Sequence, residues 1–362
     1  MKEHTEEEVI EMLNGCVCCT VRDDLIKTLK KLAERQQQGL KLDAIVIETT
    51  GMADPAPVAQ TFFVDDFVQE FFKLDGIVTL VDANHIEQHL DEEKPEGAEN
   101  ESVEQVAFAD RLILNKIDLV PKEEDLKRVE TRLRTMNAFA PIIRTTQSSV
   151  SAENVLNLKA FNLNRTLEMD PEFLNTDAEH EHDESVSSLG IDVAGEVDMS
   201  ALSVWMDDLL REQGADIFRM KGVLACQGYP KKWAYQAVHM IMSSVFSEDW
   251  AEGEERCCKL TFIGKNLNKA ELKEGFMSCM ATAENREKRI KSLRFAKGDK
   301  VQCVDDDGEW VTGVVEDHLF RNEDWAPGEC APYAVKLDGA EQYIYPTEDD
   351  DTIVRAAPRA VD

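Results

Sequence analysis

Through its first 160 or so residues the chain alternates short, uninterrupted apolar runs with longer stretches in which apolar side chains recur every three or four positions. The runs fall at 44–47, 76–81, 112–114 and 142–143. They are rich in β-branched residues and carry no charged interruption, the pattern of parallel strands buried on both faces. Between them, Leu25, Leu29 and Leu32 mark one amphipathic helix and Leu126, Val129, Leu133 and Met136 another. Alternating strands and helices predict an α/β domain with a parallel sheet, and such sheets bind ligands at the carboxyl ends of their strands. The residues directly after each run are therefore the first places to look for chemistry.

The pattern breaks at 165–198, where Glu, Asp, His and Ser dominate and the run from Glu179 to Glu184 alternates acids with His180 and His182; this reads as a linker. A second, α+β unit is expected at 199–285, with a helix around Leu202 and Leu210, strands near 218–226, 233–242 and 257–263, and a helix over 268–280. The basic stretch 286–294 reads as a further linker. Short alternating runs divided by Asp-Gly and Pro-Gly turns then predict a small β-barrel over 293–356. Trp310, Trp325, Tyr333, Tyr343 and Tyr345 are expected to fill its core, because small barrels need large residues inside. Displayed instead, they would form a groove for a peptide, and the acidic run at 348–351 would make that peptide basic or neutral. No internal repeat is present.

At 362 residues the chain has room for two or three domains, and 43% hydrophobic with 31% charged residues is ordinary for a folded protein. Forty Lys and Arg stand against 72 Asp and Glu, a formal charge of −32, which argues against nucleic acid or an anionic membrane as partner. No apolar run approaches the ~18 residues of a membrane helix. The start is acidic and helix-like, without a signal or transit pattern, and nine cysteines in a long chain suit a reducing compartment and metal chemistry. The expected location is cytoplasmic.

Three motifs carry chemistry. Asn115-Lys116-Ile117-Asp118 follows the run at 112–114. An Asp there can accept from both the ring N–H and the amino group of guanine, a pairing adenine cannot match; the Lys116 stem would lie over the base and Asn115 would brace the loop. Glu48-Thr49-Thr50-Gly51 follows the run at 44–47. An acid at a strand end suits Mg²⁺ held through water, and Gly51 would let a backbone N–H approach a terminal phosphate. The same residues would also serve as a turn before a helix at Pro55. Third, Cys16, Cys18 and Cys19 place three thiols within four residues, a set that suits tetrahedral zinc. His180 and His182 are a possible accessory metal pair, more simply a solvated loop. Cys257 and Cys258 would point to opposite faces of a strand and serve packing. No phosphate-cradling GxxxxGK[ST] loop occurs anywhere in the sequence, and only fourteen residues precede Gly15. The expectation is a chain that begins inside a domain.

Taken together, GCVCCTVRDDL at 15–25, IVIETTGMADPAPVAQTF at 45–62, DGIVTLVDANHIEQHL at 75–90, LNKIDLV at 114–120, EHEHDESVSS at 179–188 and IFRMKGVLACQG at 217–228 resemble the CobW-type metallochaperone GTPases. The resemblance covers about 15–280 and departs from the family where the P-loop would stand. It implies a P-loop-NTPase-like parallel sheet lacking its first strand and P-loop (1–164), the acidic linker (165–198), a CobW C-terminal-like α+β domain (199–285) and an appended SH3- or Tudor-like barrel (293–356). It further implies GTP, Mg²⁺ and Zn²⁺ as ligands and a client metalloenzyme as protein partner, with GTP hydrolysis changing metal affinity. The alternative is a non-enzymatic zinc-binding scaffold that docks a partner through its C-terminal domains.

Overall fold

The computed structural model describes residues 19–51, 53–92, 94, 100–160, 186–239, 241–322, 324–326 and 328–358. Cys16, Cys18, His180 and His182 lie outside them.

The nucleotide-binding half opens with α1 (Cys19–Gln37), α2 (Ala56–Val64) and α3 (Asp66–Phe71). α1 ends where Gly39 takes φ +111°, a conformation open to glycine, so that Leu40 N–H can turn back to the Arg35 carbonyl at 3.0 Å. Its apolar stripe, Leu25 and Leu29, packs on Val68 of α3. Three parallel strands follow, β1 (Val78–Asp82), β2 (Arg111–Asn115) and β3 (Ile142–Arg144), in that spatial order. They alternate with α4 (Ile86–Leu90), α5 (Glu101–Phe108) and α6 (Glu123–Met136). The predicted stripe Leu126, Val129, Leu133 and Met136 is the buried face of α6.

One expected strand is not there. Residues 44–47 form no strand and face solvent, Val46 being 79% exposed. An apolar run supplies the tendency to be buried, but a strand also needs a neighbour to take its N–H and C=O groups. Among the described residues none pairs with this segment. Leu80 of the edge strand β1 is likewise 58% exposed.

The second half is a five-stranded antiparallel sheet in the order β4-β8-β5-β6-β7: β4 (Val186–Ala194), β5 (Ile217–Ala225), β6 (Lys231–Val238), β7 (Ile241–Asp249) and β8 (Cys257–Lys265). Two corrections arise here. β4 lies in the stretch whose polar composition reads as linker, and the single strand expected over 233–242 is the hairpin β6–β7, turning at His239 with φ 51°. One face is covered by α7 (Met199–Gln213) and α8 (Lys269–Ser278); the other sends Val186, Phe218, Val238 and Ile263 into the core of the nucleotide-binding half. β5 is buried along its whole length because both faces are covered. Cys258 is buried and Cys257 only partly so, as opposite-facing neighbours on β8.

The basic stretch expected as a linker is mostly helix: α9 spans Ala283–Ser292, capped by the Thr282 hydroxyl, which accepts from Asn285 N–H at 3.1 Å. The tail forms an antiparallel sheet, β12-β11-β10-β9-β13, from β9 (Lys300–Val304), β10 (Trp310–Phe320), β11 (Ala331–Leu337), β12 (Tyr343–Ile344) and β13 (Val354–Ala356). Its core holds Val301, Cys303, Val315, Tyr333, Val335 and Val354. Of the five aromatics expected inside, Tyr333 alone is fully buried; Trp310, Trp325 and Tyr345 are half-buried and Tyr343 is exposed. The remaining inner positions are taken by Val301, Cys303, Val315, Val335 and Val354.

Candidate nucleotide and metal site

In the parallel sheet, Asp82 pairs in register with Asn115 and Leu114 with Arg144, so the loops after all three strands emerge at one edge. Asn115 is buried and ties two of them together. Its amide donates to Ser148 Oγ at 3.0 Å, and its oxygen accepts from Ser148 N–H at 2.9 Å. Thr145 N–H donates to the Leu114 carbonyl at 2.8 Å, and Thr145 Oγ1 to the Ser149 carbonyl at 2.8 Å, closing the 145–149 loop. Asn115 therefore braces its surroundings.

Lys116 takes a left-handed backbone (φ 61°), a strain that non-glycine residues accept only where neighbours enforce it. Here the turn is held by Ile117 N–H on the Thr145 carbonyl (3.4 Å) and by the Lys116 ammonium on Asp82 Oδ2 (2.7 Å). The Lys116 stem is thereby stretched between the β2 and β1 loops. Asp82 also accepts from Asn84 N–H at 2.9 Å and from His85 Nδ1 at 3.0 Å. A carboxylate can only accept, so Nδ1 carries the proton. Partial burial works to raise the Asp82 pKa, but Lys116, His85 and the Asn84 amide outweigh it and hold the group down at about 2. Asp118 sits in the short 3-10 turn Ile117–Leu119, exposed at the mouth, with no described hydrogen bond. Two unengaged carboxylate oxygens beside an anchored lysine stem are what a two-donor base edge requires.

Glu48, Thr50 and Gly51 lie in the exposed segment before α2 rather than at a strand end. No described bond joins Glu48 to the 115–118 turn. The segment is nevertheless tethered: Gln105 of α5 donates to the carbonyls of Gly51 (3.1 Å) and Ala53 (2.8 Å). Of the three cysteines, Cys19 opens α1. Among the described residues no group of three or more His, Cys, Asp or Glu is placed to hold a metal ion.

Sequence reasoning missed Asp82 and His85, although both follow the apolar run at 76–81 and the rule of strand ends points at them. It also missed Gln105, for which no signal exists, and the ion cluster below the site. There Asp110, immediately before β2, accepts from Ile77 N–H at 2.9 Å and from the Lys221 ammonium at 2.5 Å, and pairs with Arg219. Arg219 and Lys221 belong to β5, so the cluster bolts the antiparallel sheet to the root of β1 and β2. Burial opposes the Asp110 charge, yet the two cations hold its carboxyl below the usual range; burial and neighbouring Arg219 bring Lys221 down to about 8.

Parallel strands delivering an Asn-Lys-x-Asp turn to one edge, bolted to a five-stranded antiparallel sheet, define a nucleotide-binding α/β protein with a fused second domain. The chain belongs to the CobW/HypB/UreG family. It matches the CobW/HypB/UreG nucleotide-binding domain over residues 1–144 and the cobalamin synthesis protein cobW C-terminal domain over 186–280. It is 30% identical over 270 residues to the zinc chaperone YjiA of Escherichia coli (strain K12), covering 74% of this chain and 81% of that protein. It is 42% identical over 160 residues to the zinc-regulated GTPase metalloprotein activator 1 of Schizosaccharomyces pombe, covering 44% of this chain and 37% of that one. The Zn(II)-bound YjiA GTPase from E. coli shares the fold, with a TM-score of 0.58 at 28% identity over 74% of this chain and 81% of that one. The family is one of GTPases. The tail sheet lies outside both matched regions.

Proposed function

We propose that this chain is a GTP-dependent metallochaperone that holds zinc on Cys16, Cys18 and Cys19 and passes it to a client metalloenzyme. The observation that carries the reading is the turn after β2: Asn115 braced on Ser148, Lys116 anchored on Asp82, and Asp118 open at the mouth. Asp118 would accept the two donors of guanine, while the Lys116 stem lies over its face. Glu48, an exposed carboxylate with no described partner, suits a hard cation held through water. Bound Mg²⁺ would neutralise charge on the phosphates. Zinc is cargo here, and thiolates suit it.

Nucleotide can move metal only if metal affinity differs between nucleotide states. The packing supplies a physical route. α1, which continues from the cysteines, packs on α2 and α3, and α2 follows the Glu48–Gly51 segment and packs on β6 and β7. A shift of that segment therefore reaches both the cysteine-bearing helix and the second domain.

The test is a chelator competition, with and without GTP and Mg²⁺, on the reduced chain preceded by a phosphate-cradling GxxxxGK[ST] segment, which its own sequence does not carry. About one zinc per chain is expected, lost when Cys16, Cys18 and Cys19 are together replaced by Ser. GTP should change the affinity at least about fivefold. Asp118→Asn should abolish that response and shift nucleotide preference towards xanthine, whose carbonyl accepts from the Asn amide. Unchanged zinc stoichiometry in the triple variant would show the ligands to be wrong. Zinc binding that ignores GTP would assign the chain to the scaffold alternative.

A further inference from the structure

The outside of the tail sheet carries four aromatic rings in one patch. Phe320 ends β10, Trp325 stands in the loop that follows, Tyr343 lies in β12, and Tyr345 comes just after it. Phe320 and Tyr345 stack with centroids 4.6 Å apart and planes at 13°. Trp325 stands across both, at 79° and 5.8 Å to Phe320 and at 83° and 5.3 Å to Tyr345. Tyr343 runs parallel to Tyr345 at 6.4 Å and 11°. None of the four is buried, and Tyr343 is 42% exposed, whereas Tyr333 on the inner side of the same sheet is 0% exposed. The core is therefore filled without them.

The patch is held in shape. In the Trp325 loop, Trp325 N–H donates to the Asn322 carbonyl at 3.2 Å and Ala326 N–H to Glu329 Oε2 at 3.0 Å. Arg321 lies 4.6 Å from the Tyr229 ring of the second domain. A surface already ordered loses little conformational entropy on binding.

Its surroundings are acidic. Residues 293–362 contain seven Lys and Arg against seventeen Asp and Glu. Glu316 accepts from the Tyr343 hydroxyl at 2.6 Å, and Asp324 directly precedes Trp325. Other rings of this protein already carry a cation: Arg355 lies 3.7 Å from the Trp310 centroid. Among the described residues no cation–π partner is seen over Trp325, Tyr343 or Tyr345. Lys336, opposite Tyr343 in the sheet, is engaged by Glu341 at 3.3 Å. β12 is also an edge strand, with its outer side unpaired among the described residues.

We propose that this patch docks an extended, arginine- or lysine-bearing segment of a partner protein. Its cations would sit on the faces of Trp325, Tyr343 and Tyr345, with Glu316 and Asp324 flanking them. Aromatic faces attract cations through the ring quadrupole, and the flanking carboxylates add to that attraction. An edge strand favours an extended chain. The same acidity repels a phosphate backbone, so nucleic acid does not fit.

The test uses the intact chain and two fluorescein-labelled nonapeptides, one alternating Arg and Pro and one alternating Glu and Pro, followed by anisotropy at low salt. The Arg-Pro peptide should bind and the Glu-Pro peptide should not. Tyr343→Ala and Trp325→Ala should each weaken binding about three- to fivefold, with Trp325→Phe recovering most of the loss. Asp306→Asn, in the turn at the opposite end of β10, should leave binding unchanged. Tyr343 is exposed enough that its truncation leaves the core intact, so this variant decides the matter if Trp325→Ala disturbs the loop. Three results would each overturn the proposal: no binding of the Arg-Pro peptide, equal binding of both peptides, or ring variants that bind like the parent.

Discussion

Asp110 ties the two halves together below the site, because one carboxylate holds the root of β1 and two cations of β5. Removing its charge takes the carboxylate from between Arg219 and Lys221, which keep their bonds to the Phe108 and Ala160 carbonyls, and breaking a buried pair from one side costs about 3–5 kcal/mol. Asp110→Asn is therefore expected to lower stability by that order in urea denaturation at neutral pH. The pH dependence has a definite sign. The folded carboxyl lies below its ordinary value of 3.8, so its contribution is complete above that value and is lost as the pH falls through the lower, folded one. The parent should lose stability steeply on acidification, and Asp110→Asn should show a shallower acid limb. An equal slope in both proteins would remove Asp110 from this role. None of this could be read from the chain, where Asp110 stands more than a hundred residues before Arg219 and Lys221.

Helices and strands were legible where their apolar period is strong, as in α1, α6 and α7. Their ends depend on polar contacts that composition does not announce. Asn137 is the clearest case. Fully buried after α6, it donates to the carbonyls of Val106 (2.9 Å), Ala107 (3.2 Å) and Ala109 (2.9 Å), and accepts from Phe139 N–H (3.2 Å) and Ala140 N–H (3.1 Å). One amide thus closes the end of α5 and the start of the turn into β3. Asn137→Ala would leave several buried backbone groups unpaired and should cost about 1–3 kcal/mol in chemical denaturation. Asn100, which caps α5 by accepting from Ser102 N–H at 3.0 Å and Val103 N–H at 3.3 Å, should cost about 1 kcal/mol when replaced by Ala.

The second domain has a core of its own but sends one face of its sheet into the core of the nucleotide-binding half. Phe108 of α5 lies against Phe218 of β5 and His239 of the β6–β7 turn, with ring centroids 6.2 and 5.4 Å away. Because this contact belongs to both halves, they should melt together. Phe108→Ala should cost about 3–5 kcal/mol, and in calorimetry it should split the shared transition into two. Two separate transitions in the parent would show the halves to be independent, and a single, unshifted transition in the variant would remove Phe108 from this role. The tail is joined differently, through α9, whose Arg286 donates to the His318 carbonyl at 3.1 Å and whose Arg289 donates to Asp198 Oδ2 at 2.6 Å, and through Arg321 against the Tyr229 ring.

The alternation of apolar runs and amphipathic stretches was enough to establish the parallel sheet, most of its helices and the location of the Asn115–Asp118 turn at a strand end, because periodicity and strand-end position are local properties. Whether a run finds a neighbour is not local. The segment at 44–47 has the composition of a buried strand and lies in solvent, while the polar stretch before 199 contains the strand β4. The same division holds within the site. Asp118 announces itself by its motif, but the turn that carries it is held by Asp82 on Lys116 and by Ser148 on Asn115, which meet only when β1, β2 and the 145–149 loop come together. In the tail, the aromatics were visible as a set. Their separation into one buried ring, packed with Val301, Val315, Val335 and Val354, and an outward-facing patch is a matter of three-dimensional packing that no sequence pattern encodes.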